Sequence, residues 1–145
     1  MRLTQLTDYS LRVLMYLAAR PERLATIQEI ASAYRISENH LMKVVHRLGQ
    51  NGFIETIRGR GGGVRLKGSA SRIRIGAVVR AVEEDFMIVE CMGTNDTCRI
   101  TDVCRLKVAL RQALGAFLKS LDGWTLADLM RKPNALMDAL AIEER

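Results

Sequence analysis

SENHLMKVVHRLGQNGFIETIRGRGGGVRLK, residues 37–67, holds the reading that decides the fold. Ser37 is a favoured helix N-cap, and Leu41, Val44, Val45 and Leu48 repeat at the helical period until Asn51-Gly52 ends the run. Glu38, Asn39, His40, Lys43 and Arg47 occupy the other faces. Phe53–Ile57 and Val64–Lys67 then read as short strands around Arg58-Gly-Arg-Gly-Gly-Gly63, a hairpin with an arginine-lined, glycine-rich tip. Upstream, a helix is expected from Thr26, with Ile27, Ile30 and Ala31 on one face, ending near Tyr34-Arg35-Ile36. Two short helices joined by a tight turn make a helix-turn-helix, and the hairpin after them makes it winged. A first helix is expected from Thr7 as its cap, with Leu11, Leu14, Met15 and Ala18 as the core face and Arg20-Pro21 as the stop.

Downstream, Ile75 to Val82 reads as a fourth helix, and Glu83-Glu84-Asp85 leads into a loop that ends at Cys104. Leu106, Leu110, Ala113, Leu114, Phe117, Leu118 and Leu121 then form one stripe on a helix roughly 27 Å long at 1.5 Å per residue. A helix of that length extends past a small winged domain, and the expectation is self-association, since operator readers commonly work as two-fold dimers. Asp122-Gly123 closes it, Trp124-Thr125-Leu126 starts a short terminal helix, and the tail after Pro133 carries no usable motif. The expected class is mainly α with a small β-hairpin wing. Its parts are a winged helix-turn-helix over 1–82, a cysteine loop over 83–104, and a dimerisation helix and tail over 105–145.

The charge is divided in the same way. Residues 1–80 hold 14 Lys and Arg against 5 Asp and Glu, net +9, while 81–145 hold 8 against 11, net −3. Between Glu55 and Glu83 lie Arg58, Arg60, Arg65, Lys67, Arg72, Arg74 and Arg80 with no acid among them, a stripe that attracts a polyanion. The expected partner is a double-stranded DNA operator. Ser37, Glu38, Asn39, His40 and Lys43 lie at the amino-terminal end of the third helix, where Asn39 suits adenine and Lys43 a guanine or a phosphate. Arg58, Arg60, Gly61 and Arg65 supply the wing, whose glycines permit close approach to the backbone. His40 and His46 have no cysteine or second histidine at ligand spacing and are read as surface or backbone-contacting groups. The glycine run lacks a Gly-Lys-Ser/Thr ending, and no Ser-His-Asp or Cys-His grouping appears, so neither a nucleotide cradle nor an enzyme is expected. The amino terminus has no signal-peptide core, and its longest early apolar run, Val13 to Ala19, is seven residues. The expectation is a cytoplasmic protein with no membrane partner.

Cys91, Cys98 and Cys104 are the only cysteines. An odd number cannot pair fully within one chain, and their gaps of six and five residues are far from the two-residue spacing of most zinc knuckles. The intervening Met-Gly-Thr-Asn-Asp-Thr is polar and loop-like, which argues against buried structural thiols. Structural zinc, a thiol redox switch and an iron-sulfur cluster remain. Arg99 and Arg105 favour thiolates in all three, and zinc or a cube-shaped cluster needs one donor more than the cysteines supply.

Three stretches carry a family resemblance: the opening MRLTQLTDYSLRVLMYLA, the segment SENHLMKVVHRLGQNGFIETIRGRGGGVRL, and the three-cysteine loop leading into CRLKVAL. Together, from Met1 to about Leu129, they resemble the Rrf2 family of winged-helix transcriptional regulators, most closely its nitric-oxide-sensitive repressor branch. The resemblance implies a homodimer whose cysteine loop holds an iron-sulfur cluster, with cluster state setting operator affinity and nitric oxide as effector. A second branch, the cluster-assembly regulators, places a histidine ligand three residues after the third cysteine, where this chain has Lys107. The nitric-oxide branch resembles instead a 4Fe-4S site completed by a carboxylate at the start of helix one, and Asp8 stands there. Asp8 is equally accounted for as a helix-start charge favoured by the macrodipole. Sensing of cluster or redox status on the same frame, and a thiol or zinc regulator, are the alternatives.

Overall fold

The computed structural model describes residues 1–141, in the order α1 (Gln5–Ala19), α2 (Ile27–Tyr34), α3 (Glu38–Gln50), β1 (Ile54–Ile57), β2 (Gly63–Leu66), α4 (Ile75–Val82), α5 (Leu106–Asp122), α6 (Leu126–Leu129) and α7 (Pro133–Ala139). The molecule is mainly helical with one antiparallel hairpin, as the sequence implies. Residues 142–145, the end of the range expected for the dimerisation arm and tail, lie outside the described residues.

Helix α1 differs from expectation at its start. Thr4, not Thr7, is the cap, its hydroxyl accepting from the Thr7 N–H at 3.4 Å. Leu3 and Leu6 pack against the core, so the apolar period runs back past Thr7, which is itself fully buried. The buried face is rotated as well. Val13, Leu14, Tyr16 and Leu17 are buried, whereas Leu11, Met15 and Ala18 are only half-buried, because α1 is enclosed by α3, α4, α6, α7 and β2 rather than resting on one neighbour.

Local signals set α2 and α3. Thr26 and Glu29 form a reciprocal capping box at the start of α2. Arg35 takes a left-handed φ of 55° at its end, and the Ile36 N–H returns to Ala31 O at 3.0 Å, so the chain turns sharply into Ser37, the N-cap of α3. Leu41, Val44, Val45 and Leu48 are buried as the period requires.

Strand β1 begins one residue later than the sequence reading has it, and β2 lies one residue earlier. The Phe53 N–H closes α3 on Leu48 O at 3.1 Å instead of entering β1, and Gly63 pairs with Ile57 inside β2. The hairpin is tied down by Ala25, which exchanges hydrogen bonds with Val64 at 3.0 and 2.7 Å. A Cβ at position 63 would stand 2.7 Å from Ala25 O, so this glycine is required by backbone approach within the fold.

The α5 helix is about 26 Å long at 1.5 Å per residue, and none of its residues is fully buried. Its carboxyl-terminal end is fastened to α4. The Asp122 carboxylate sits where Gly76 has no side chain and pairs with Arg80 at 2.5 and 2.9 Å. The Ile75 N–H reaches Trp124 O at 2.9 Å, and the Leu126 N–H reaches Ile73 O at 2.8 Å. Leu118 and Leu121 touch the core, while Leu106 at the other end is 58% exposed. Between them, Leu114 and Phe117 border a cleft of about 280 Å³ shared with Leu3, Phe86 and Met87. The tail without a motif folds as α7, whose Met137 is buried and which packs on α1.

Candidate DNA interface and cysteine loop

Burial of its apolar stripe leaves α3 with an exposed face carrying Glu38, Asn39, His40, Lys43 and His46. The Ser37 hydroxyl is engaged as the cap, accepting from the His40 N–H at 3.2 Å. The remaining amides of that end carry the partial positive charge of the helix dipole, a site suited to phosphate. On the wing, Arg58 and Arg60 are exposed and share no ion pair among the described residues, while Arg65 is paired across the strands with Glu55 at 2.7 Å. Gly61, with φ of +74° and open space around it, forms the tip. Helix α3 and the hairpin pack together, so both belong to one rigid frame.

Asp8 lies in the first turn of α1 and is held by Arg12 at 2.8 and 3.1 Å, one turn along the helix. The Arg12 guanidinium also lies 5.7 Å from the centre of the Tyr9 ring, and that ring is 6.3 Å from the ring of His40 at the start of α3. The Arg12 carbonyl accepts from the Tyr34 hydroxyl at 2.9 Å, and burial pushes the Tyr34 phenol up to about 12. Contacts thus run without interruption from Asp8 to the exposed face of α3.

All three thiols are free. Cys91, in a 3₁₀ turn over Glu90–Met92, and Cys104 are half-buried, and Cys98 is exposed. Among the described residues no three His, Cys, Asp or Glu side chains are grouped to hold a metal ion, so one chain alone does not bring the cysteines and Asp8 together. The donor chemistry nevertheless fits iron and sulfide: three free, soft sulfur donors on a polar, accessible loop.

Sequence reasoning missed Glu83, which it took as part of an acidic lead-in. Its carboxylate accepts from the Thr4 N–H at 3.2 Å, from the Thr4 hydroxyl at 3.1 Å and from the Thr7 hydroxyl. The root of the cysteine loop is thereby fastened to the start of the helix that carries Asp8. Nothing local in the sequence points from Thr4 to an acceptor 79 residues away.

Known proteins share the family and the fold of this chain. The family model Rrf2, described as an iron-dependent transcriptional regulator, matches residues 3–132. The HTH-type transcriptional regulator NsrR of Bacillus subtilis (strain 168) is 54% identical, over 99% of this chain and 100% of its own length. Among solved structures, CymR, the global cysteine regulator of B. subtilis, superposes with a TM-score of 0.68 at 26% identity, covering 89% of this chain and 95% of its own. IscR of T. potens, at 20% identity, shares the fold with a TM-score of 0.73, over 100% of this chain and 93% of its own. No helix among the described residues is long and apolar enough to cross a membrane.

Proposed function

The chain belongs to the Rrf2 family of transcriptional regulators, and from that premise we propose that it is a homodimeric, cytoplasmic repressor whose operator affinity depends on a nitric-oxide-sensitive iron-sulfur cluster. One observation carries the DNA-binding part: the exposed Asn39, His40 and Lys43 face of α3 and the exposed Arg58 and Arg60 of the wing, which have no ion pair among the described residues, lie on elements packed together. Helix α3 enters the major groove, and the wing meets the backbone.

Cys91, Cys98 and Cys104 would hold the cluster, of the 4Fe-4S type by resemblance, with Asp8 as fourth donor. Lys107 has no lone pair when protonated, which disfavours the histidine-type site. When bound, the cluster supplies the iron that reacts with nitric oxide. Asp8 is a hard donor among soft thiolates and is therefore the ligand most readily given up. Arg12, which pairs with Asp8 in the single chain, would hold the carboxylate whenever it is not ligating. In this reading Asp8 would reach the cysteine loop of the other subunit, which would couple the site to the spacing of the two winged domains. Moving Asp8 between Arg12 and that loop changes how Arg12 bears on Tyr9, and Tyr9 on His40, while Glu83 keeps the start of α1 attached to its own loop. The two α3 helices then shift relative to operator spacing, a population shift between two arrangements of the dimer.

The test is anaerobic purification with an absorption spectrum, iron and sulfide analysis, and operator binding before and after nitric oxide. A coloured protein with iron and acid-labile sulfide that releases DNA on exposure is expected. Asp8→Ala should weaken the cluster or change its reactivity while the helix content is kept. Zinc without sulfide, or a colourless protein that cycles between thiol and disulfide, would replace this reading with a thiol-based one.

A further inference from the structure

The residues immediately before Cys91 and Cys98 are joined to each other. Glu90 Oε1 accepts from the Thr97 N–H at 3.0 Å and also from the Thr97 hydroxyl. Glu90 opens the 3₁₀ turn that carries Cys91, and that turn is closed by the Met92 N–H on Val89 O and the Gly93 N–H on Glu90 O, each at 3.0 Å. On the other side, Asp96 Oδ1 accepts from the Cys98 N–H at 3.0 Å. Thr101 Oγ1 lies 3.1 Å from both Asp96 Oδ1 and Cys98 O. Both cysteines are thus held at their backbones, and the two backbones are linked through Glu90 and Thr97.

A carboxylate beside a thiolate is normally unfavourable, since like charges oppose ionisation of the thiol. Here Glu90 is turned onto two donors of Thr97, whose charge-assisted hydrogen bonds take up its charge. We propose that Glu90 and Thr97 are positioning residues that close the segment between Cys91 and Cys98 into a ring and hold the two thiols as a preformed pair before any iron arrives. The inference rests on the reading of this loop as the cluster site and deepens it. A flexible loop must be closed each time two of its residues bind one centre. The clasp closes it in advance, raising the effective concentration of the second thiol at the first. Cys104 lies outside the ring and joins later.

The metal-free, reduced full-length chain carrying Cys104→Ser tests this with phenylarsine oxide, which binds a thiol pair by forming two As–S bonds and releasing one water. Glu90→Ala and Thr97→Val should each weaken binding by about fivefold, the scale of one or two net hydrogen bonds. Glu90→Gln keeps an acceptor and Thr97→Ser a hydroxyl, so each should stay within about twofold of the parent. Both positions are exposed, and circular dichroism should be unchanged throughout. Parent-like affinity in Glu90→Ala would overturn the clasp. Glu90→Gln binding as weakly as Glu90→Ala would also overturn it, assigning the effect to charge. Iron and sulfide loading of the same variants with Cys104 restored should be slower in Glu90→Ala and Thr97→Val only. A parent chain that never takes up iron and sulfide would defeat the cluster reading, while the arsenical titration would still decide the clasp.

Discussion

Arg60 and Asn39 are both exposed, yet they act on DNA in different ways. Arg60 at the wing tip has no partner to release among the described residues, so its charge is available to phosphate. Arg60→Ala should weaken binding to operator and scrambled duplex alike and lower the salt-dependence slope by about one. Arg65→Ala should do less, since Glu55 already holds that guanidinium. Asn39→Ala should instead lose about 1–3 kcal/mol at one base position and leave binding to scrambled duplex intact, read by fluorescence anisotropy across a salt series. The glycines divide in the same fashion. Gly63→Ala drives a Cβ against the Ala25 backbone and should destabilise the fold by about 1–3 kcal/mol in urea unfolding. Gly61 meets nothing, so Gly61→Ala should cost only its left-handed strain, about 1 kcal/mol, and act mainly on DNA affinity.

At the scale of elements, α5 is anchored at one end and open at the other. Leu106 at its open end is exposed, as are Ile100 and Val103 in the turns ahead of it. Leu114→Asp places a charge in the middle of the stripe. The expected outcome is a folded monomer with reduced operator affinity, read by sedimentation and circular dichroism; outright unfolding would assign the stripe to the intramolecular core. The anchored end is acid-sensitive. The Arg80 guanidinium, bonded to Asp122, holds that carboxyl below its ordinary 3.8. A carboxylate depressed in the folded state contributes stability that is complete above its unfolded value and is lost as pH falls through its folded value. The α4–α5 junction should therefore loosen as pH falls below about 3.8. Trp124, the chain's single tryptophan, sits at that junction, and its fluorescence should report the transition. Asp122→Asn should abolish that acid step.

At the scale of the whole molecule, the proposed role of Asp8 predicts a site shared between subunits. In a heterodimer where one chain keeps the cysteines but carries Asp8→Ala, and the other keeps Asp8 but lacks the cysteines, one complete site should form with the native spectrum. If the carboxylate comes from the same chain as the cysteines, that heterodimer should match the Asp8→Ala protein. The sequence by itself determined the helix-turn-helix, the wing and the buried face of α3. Each of these is decided within one or two turns: Ser37 caps its own helix, Thr26 and Glu29 cap each other, and an alternating or 3.6-residue period needs no distant partner. Only the tertiary structure decided where α1 begins, because Leu3 and Leu6 found a core to pack on and carried the helix past Thr7. It alone decided that Gly63 and Gly76 make room for Ala25 and Asp122, that α7 covers α1, and that Glu83 holds Thr4 and Thr7. Those choices are energies of contact between segments far apart in the chain, and a residue's neighbours in sequence carry no record of which distant surface it will meet.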